Sequence, residues 1–261
     1  MAWEIVFLLV FAGFVWLLDR DIDPYPPPLP KSANPRREIG IVLLLWGMAL
    51  GVNAVRLLII NPWFMKAAIQ PALGEFVNLL LITLPFLALP LYLSLKIDGY
   101  TVADVGLTWK SRSTNVTIFA LAFGTISGAV AFWTGETVVG VEALSAGALL
   151  LLVFNNAFLE EFFYRGVIQN RLERVFGQRM AILSAGFLFA STHVLLDFLV
   201  LAEEGGLAAV LVALLMQTLG GMLLGLIFVK TRTLWPGVVC HYLVNWIPSI
   251  LNLLLAGNEK L

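Results

Sequence analysis

Long apolar runs divide the chain, and they constrain its fold more than any other feature of the sequence. A transmembrane α-helix needs about 20 mostly apolar residues. Eight runs approach that length, at 2–18, 39–60, 76–95, 114–134, 144–169, 180–200, 207–229 and 234–256. The composition is 60% hydrophobic and 13% charged, so it is far more apolar than that of a soluble domain. We therefore predict an all-α, polytopic membrane protein with about eight transmembrane helices.

The distribution of Lys and Arg supports this number of spans. Cytoplasmic loops of membrane proteins carry an excess of positive charge. Twelve of the 16 Lys and Arg residues lie in alternate loops, whereas only Lys66 and Lys260 lie in the other loops and the termini. This pattern predicts that both termini lie outside the cytoplasm. The net charge of −1 gives no basic footprint for nucleic acid, so membrane lipid is the expected environment.

The first apolar run and the segment after it predict an accessory unit. The run lacks the basic start of a signal peptide and no small-residue cleavage pattern follows it, so we expect it to be retained as a helix. The next segment, DRDIDPYPPPLPKSANPRRE, is rich in proline, which favours an extended spacer. We predict an accessory transmembrane helix with a cytoplasmic linker at 1–38 and a membrane core at 39–261.

Three charged residues lie inside the fifth apolar run, in the stretch NNAFLEEFFYRG at 155–166. A charged side chain in the centre of a span costs about 2.5–3.5 kcal/mol on insertion scales, so it faces a partner or a cavity. Glu161 and Arg165 are four residues apart, and we expect them to pair on one helix face. Glu160 points about 100° away from Glu161, which leaves it without a partner on its own helix. Glu160 is therefore the residue that needs a functional explanation.

The chain has two histidines, and both lie in later apolar runs. A single histidine on an apolar face is more often a core residue than a functional one. Here FASTH places Phe189 four residues before His193, and HYLVN places His241 four residues before Asn245. Helix rise puts Glu160 about 14 Å, His241 about 11 Å and His193 about 20 Å from the cytoplasmic ends of their spans. We predict that these residues converge on a cavity among the helices, nearer the cytoplasmic side.

These motifs, in this order on three apolar runs, resemble the signature of the CAAX protease and bacteriocin-processing (CPBP, or Abi) family of intramembrane endopeptidases. The resemblance rests on Glu160-Glu161-x-x-x-Arg165, Phe189-x-x-x-His193 and His241-x-x-x-Asn245, and it covers residues 75 to 256. Asp197, four residues after His193, is outside this pattern. It could orient the imidazole or mark the outer end of the span.

The resemblance implies glutamate-dependent hydrolysis of a peptide bond. Glu160 would take a proton from water, and His193 would hold or polarise the same water. His241 and Asn245 would donate hydrogen bonds to the oxyanion, each good donor contributing about 2.7–4 kcal/mol. The Glu161–Arg165 pair, Phe189 and Asn156 would support the structure of the site. Asn156 lies one turn before Glu160 and could orient its carboxylate or bond a neighbouring helix.

Other functions fit parts of the same sequence. Glutamate and two histidines could bind zinc, although the compact His-Glu-x-x-His pattern is absent; the resemblance favours a glutamic protease without a cofactor. A proton-coupled transporter would also hold charged residues in its spans, but no internal repeat supports it. A non-catalytic scaffold or immunity protein would not need the three motifs intact.

The sequence leaves the substrate and the assembly open. The family implies a membrane-associated peptide or protein substrate, with or without a prenyl group, and the integral protein is expected in the plasma membrane of a prokaryote. Two glycine pairs, Gly124 with Gly128 and Gly221 with Gly225, could serve a homo-oligomer or close packing within the chain. We favour internal packing for both pairs.

Overall fold

The computed structural model describes residues 11–13, 15–16, 18–20, 23–60, 80–81, 83–133 and 156–258. In this part of the chain all regular secondary structure is helical and no strand occurs, which confirms the all-α class. The α-helices in chain order are α1 (Pro35–Val55), α2 (Leu89–Tyr92), α3 (Thr114–Trp133), α4 (156–161), α5 (Asn170–Phe176), α6 (Gln178–Ser191), α7 (Val194–Thr231) and α8 (Trp235–Asn258). Wider π-helical segments occupy Arg56–Ile60, Leu84–Ala88, Leu93–Ile97 and Phe162–Gln169.

Three of the described helices are long and apolar enough to cross a membrane, at Pro35–Ile59, Thr114–Trp133 and Gly205–Thr231. A fourth span results if the bent pair Gln178–Ser191 and Val194–Ala202 crosses as one unit. These helices support an integral membrane protein. They do not confirm eight spans, and much of the predicted runs 2–18, 76–95 and 144–169 lies outside the described residues.

The predicted runs 180–200 and 207–229 can be compared with the helices of the second half of the chain. The first was expected to be one span, and in the structure it is a pair of helices that meet at an angle of 48° between Ser191 and Val194. The two runs were expected to be separate helices, and α7 (Val194–Thr231) does consist of two helical parts, which the non-helical residue Gly206 separates. Gly206 has φ 62° and ψ −162°, a conformation that costs a side-chain-bearing residue strain, so glycine is suited to this position.

The chain forms two compact units that are each built from separate stretches of sequence. The first unit comprises Met1–Pro26, Leu107–Glu161 and Leu226–Leu261, and the second comprises Pro27–Gly106 and Phe162–Gly225. The predicted division at residue 38 is a division along the sequence, and it stays a prediction.

In the first unit, α3 packs closely against α8 through the glycine pair of GTISG. A Cβ atom on Gly124 would lie 2.8 Å from the carbonyl oxygen of Cys240, and one on Gly128 would lie 2.5 Å from that of Leu243. Cys240 is buried, as expected for a small core residue. In the second unit the same test places Gly221 against Gly186 and Gly225 against Gln169. Internal packing is therefore confirmed for both glycine pairs.

Gly128→Ala is expected to destabilise the protein by about 1–3 kcal/mol, because the added methyl group overpacks the contact with Leu243. The measurement is thermal unfolding of the purified protein in detergent. Gly51→Ala on α1 is the matched control, since no described heavy atom lies within 4 Å of its Cβ position and alanine favours the helix. Equal unfolding temperatures for Gly128→Ala and the wild type would contradict the close packing.

The start of α8 is fixed by the loop that precedes α3. The amide of Arg112 donates to the carbonyl of Thr231 over 3.0 Å, and the Thr233 hydroxyl donates to the carbonyl of Thr108. Beside these bonds the rings of Trp109 and Trp235 stack with their centroids 4.1 Å apart. The turn between α7 and α8 therefore has a defined position within the first unit.

The Pro-rich linker packs on the core of the second unit. Residues 24–32 form no helix or strand, as expected for an extended segment. However, the Leu29 amide donates to the Glu173 carboxylate over 2.9 Å, and the Ser32 amide donates to the Arg174 carbonyl over 3.0 Å. The Lys31 ammonium adds a bond of 3.0 Å to the Val175 carbonyl. This part of the linker is therefore bound to α5 and is not a free spacer.

A buried charge cluster joins α1, α5 and the loop after Ile97. Arg171 is fully buried, and its guanidinium bonds Glu38 at 2.7 Å and Asp98 at 2.5 Å. The hydroxyl of Tyr100 donates to Glu38 over 3.2 Å. Burial raises the pKa of Tyr100 to about 12, so the hydroxyl keeps the proton that this bond needs. The cluster holds three separate stretches of the second unit together.

Candidate active site

The first motif lies where the helix geometry changes. Glu160 and Glu161 end α4, and Arg165 lies in the π-helical segment Phe162–Gln169 that follows. Every residue of that segment is buried. Single π-helical turns are frequent at functional sites, because the wider turn changes which way the side chains project. The first motif therefore spans a change of helix type, and its functional role stays a prediction.

Both glutamates of the first motif lie close to the imidazole of His241. Glu161 Oε1 is 3.0 Å from Nδ1, which is a hydrogen bond, and Glu160 Oε2 is 3.8 Å from Nε2, which is too long for one. The sequence left Glu160 without a partner on its own helix, because its direction differs from that of Glu161 by about 100°. The group that approaches Glu160 lies on another helix, because the ring of His241 has nitrogens on two sides and comes near both carboxylates.

The two carboxylates differ in exposure. The side chain of Glu161 is 1% exposed, whereas that of Glu160 is 28% exposed. A buried carboxylate needs a donor, and Nδ1 of His241 supplies one to Glu161. Glu160 is open to small molecules such as water. Glu161 is therefore suited to hold the histidine and Glu160 to meet a reactant.

One face of α8 presents His241 to these carboxylates. Gly237, one turn before His241, leaves room for Glu161, because a Cβ atom there would lie 3.4 Å from Glu161 Oε2. Asn245, one turn after His241, is half-buried. Glycine, histidine and asparagine at intervals of four thus share the helix face that carries the third motif.

The second motif is built on Phe189. The carbonyl oxygen of Phe189 lies 3.1 Å from Nδ1 of His193, and the two rings are 4.8 Å apart. A carbonyl only accepts hydrogen bonds, so Nδ1 carries the proton and the neutral ring has its lone pair on Nε2. The Phe189 ring also faces the guanidinium of Arg165, whose Cζ lies 4.8 Å from the ring centroid. Arg165 is fully buried and donates to the carbonyl of Gly221 over 3.1 Å.

The predicted site residues thus form two groups, one in each unit. Glu160, Glu161 and His241 meet in the first unit, and Arg165, Phe189 and His193 meet in the second. Asn156 and Asn245 belong to the first unit by their helices. The convergence of the two groups on one cavity and the pairing of Glu161 with Arg165 stay predictions.

Several polar residues near the second motif were not predicted from the sequence. Gln217 donates to Asp197 over 3.2 Å, so Asp197 has a partner on the same helix beyond the kink. Tyr164 and Thr192 join their hydroxyl groups over 2.7 Å in a buried position. Polar side chains inside apolar runs were the only signal that could have indicated them, and that signal does not say which residues meet.

Within the described residues, no three or more His, Cys, Asp and Glu side chains are grouped so that they could hold a metal ion. The expectation of a cofactor-free site stays a prediction, and the zinc alternative is a question for experiment.

Residues 142–247 match the family model of the Rce1-like proteins, described as Type II CAAX prenyl endopeptidase Rce1-like. The matched segment contains all three motifs, from Glu160 to Asn245. No curated protein and no solved structure matches the chain. The resemblance predicted from the motifs is thus confirmed, and over residues 142–247 this membrane protein is similar to the Type II CAAX prenyl endopeptidases.

Proposed function

We propose that the protein is an intramembrane endopeptidase that hydrolyses peptide bonds with a water molecule activated by Glu160. The observation that carries this proposal is the unequal pair of carboxylates around His241. Glu161 is buried and bonded to Nδ1, whereas Glu160 is partly exposed and lies beyond hydrogen-bond distance of Nε2. A positioned base with free coordination for water is what general-base hydrolysis requires.

In the proposed first step, the oxygen of water attacks the carbonyl carbon of the substrate peptide while Glu160 takes a proton from that water. The carbonyl oxygen becomes an oxyanion. In the second step the C–N bond breaks, and the protonated Glu160 gives its proton to the departing amine. Glu160 ends the cycle as a carboxylate, so no external acid or oxidant is needed.

His241 and Asn245 are proposed to stabilise the oxyanion. Nδ1 of His241 is engaged with Glu161, so the ring can donate from Nε2 only when both nitrogens carry protons. Glu161 then acts as a counter-ion that holds the ring in place. Asn245 would add a neutral amide donor from the same face of α8.

His193 is proposed to accept a hydrogen from the reacting water. The bond from Nδ1 to the Phe189 carbonyl leaves the Nε2 lone pair of the neutral ring available as an acceptor. Arg165 would support this ring through Phe189, whose ring contacts both the guanidinium and the imidazole. Asn156, one turn before Glu160, is proposed to orient its carboxylate.

The wider arrangement is also a proposal. We place eight spans in the membrane, with both termini outside and the reacting groups nearer the cytoplasm of a prokaryotic plasma membrane. The accessory helix and linker at 1–38 would precede a catalytic core at 39–261. The substrate would be a membrane-associated peptide, with a CAAX-type prenylated end as the first candidate, and the enzyme would work without a cofactor. Whether it acts as a homo-oligomer is separate from this chemistry.

The test is cleavage of quenched fluorescent peptides, with and without a C-terminal prenyl group, by the purified protein in detergent. We expect cleavage that a chelator does not reduce and that prenylation increases. Loss of cleavage on chelation would overturn the metal-independent mechanism. Protein that cuts no peptide but moves protons across vesicle membranes would instead be a transporter.

A further inference from the structure

His193 lies at a break in the helical structure. Helix α6 ends at Ser191 and α7 begins at Val194, and the two axes differ by 48° across this break. The histidine lies in the turn between the two helices, where its amide donates to the carbonyl of Ala190 and its carbonyl accepts from the amide of Asp197, each over 2.9 Å. Its direction depends on whatever holds the break.

Helix α1 supplies two donors to the break. The indole Nε1 of Trp46 donates to the hydroxyl oxygen of Ser191 over 2.9 Å. The amide Nδ2 of Asn53 donates to the carbonyl oxygen of Thr192 over 3.2 Å. Carbonyl groups at a helix end have no partner in their own ladder, so a donor from another helix is valuable there.

These two donors lie along the face of α1 that packs inward. Val42, Leu45 and Ala49 are buried at the intervals of three and four that define one helix face, and Trp46 and Asn53 continue the same stripe. An asparagine in an apolar span is costly unless its amide is bonded, and the break provides that bond. Helix α1 lies outside residues 142–247, so the family match does not assign these residues any role.

The bond from Asn53 acts directly on the peptide group of His193. The carbonyl of Thr192 and the amide of His193 belong to one planar unit. Its carbonyl end is held by Asn53, and its amide end donates to the carbonyl of Ala190 over 2.9 Å. With both ends bonded, the plane from which the His193 side chain projects is fixed.

We propose that Asn53 and Trp46 are positioning residues, which hold the break between α6 and α7 and thereby aim the imidazole of His193. The bonds from Trp46 and Asn53 to the break are observed in the structure, whereas their effect on catalysis rests on the proposed function. Neither residue touches the reacting atoms in this scheme.

The experiment uses the full chain in detergent, labelled with ¹³C and ¹⁵N at histidine and purified without a polyhistidine tag. The protein has two histidines, so its spectrum contains two sets of ring signals, and His241→Gln assigns them by removing one. Asn53→Leu removes the donor at nearly constant volume. Asn115→Leu on α3 is the matched control because that asparagine is exposed.

We expect Asn53→Leu to shift the His193 ring signals and to leave those of His241 in place. In peptide cleavage we expect kcat to fall by about tenfold to a hundredfold, since a misplacement of about 1 Å can cost about 10²-fold, while KM changes little. Asn53→Gln, which keeps an amide donor, should recover part of the loss. Asn115→Leu should match the wild type in both measurements.

Unchanged His193 signals in Asn53→Leu would overturn the proposal, whatever the activity. If that variant loses its fold and moves both rings, Trp46→Phe decides, with the exposed Trp133→Phe as its control. Trp46→Phe keeps an aromatic ring and removes only the indole donor. Unchanged His193 signals in this variant would contradict the proposal. If the His193 signals shift but His193→Ala cuts peptide at the wild-type rate, the proposed role of His193 in catalysis is wrong, whereas the positioning of His193 by Asn53 and Trp46 is upheld.

Discussion

Glu160→Gln is expected to abolish peptide cleavage without unfolding the protein. Glutamine has nearly the shape of glutamate but cannot take a proton from water, and general-base catalysis contributes about 10²–10⁴-fold to a rate. Because Glu160 is 28% exposed and has no hydrogen-bond-length contact with His241, the substitution leaves the packing of α4 unchanged. The measurement is kcat on the best peptide, together with the unfolding temperature.

A glutamate outside the three motifs provides the control. Glu173 accepts a hydrogen bond from the Leu29 amide, and the oxygen of a glutamine side chain can accept the same bond. Glu173→Gln should therefore cleave at close to the wild-type rate. A Glu160→Gln enzyme that retains activity within a few-fold of the wild type would show that another group activates the water.

Arg171→Met is expected to cost about 3–5 kcal/mol of folding free energy, the largest loss of stability that we predict. The substitution leaves the carboxylates of Glu38 and Asp98 in a buried region without their central partner, and removal of one member of a buried ion pair is strongly destabilising. Methionine fills much of the volume, so the lost charge dominates the effect. Thermal or denaturant unfolding in detergent measures it.

Two further variants make this prediction specific. Arg179→Met on α6 removes an exposed arginine and should change stability little. The triple variant Arg171→Met, Glu38→Gln, Asp98→Asn should recover a large part of the loss, because no buried charge is left unpaired and the second partner of Asp98, Arg37, is exposed to solvent. A triple variant as unstable as Arg171→Met would mean that shape, and not charge, holds the cluster together.

The sequence predicted features that depend on composition and on local spacing. The all-α class follows from apolar runs, which leave helices as the way to satisfy the backbone in lipid. The glycine pairs predicted close packing because glycine at intervals of four lets two helices approach. The family resemblance followed from three motifs in order, and the match over residues 142–247 confirms it.

Contacts between distant parts of the chain could not be predicted in the same way. Glu161 meets His241, which is 80 residues away, and no local pattern connects them. The break before His193 has no glycine or proline to mark it. At the break the hydroxyl groups of Ser191 and Thr192 donate to the carbonyls of Leu188 and Phe189. Such side-chain bonds compete with the backbone bonds of a helix, but many serines and threonines make them without ending the helix, so the sequence alone does not mark the break.

The bound part of the linker limits how many residues can lie between its two backbone attachments to α5. Two of its three bonds to α5 come from the backbone amides of Leu29 and Ser32, which any residue except proline would supply equally well. A change of side chain at Leu29 or at Lys31, whose own bond is exposed, should therefore alter stability little, whereas the Ser32 hydroxyl also bonds Glu38 and the Asn34 amide. A single residue inserted or deleted between these two amides would move one of them away from its acceptor. In this stretch the number of residues therefore matters more for stability than their identity.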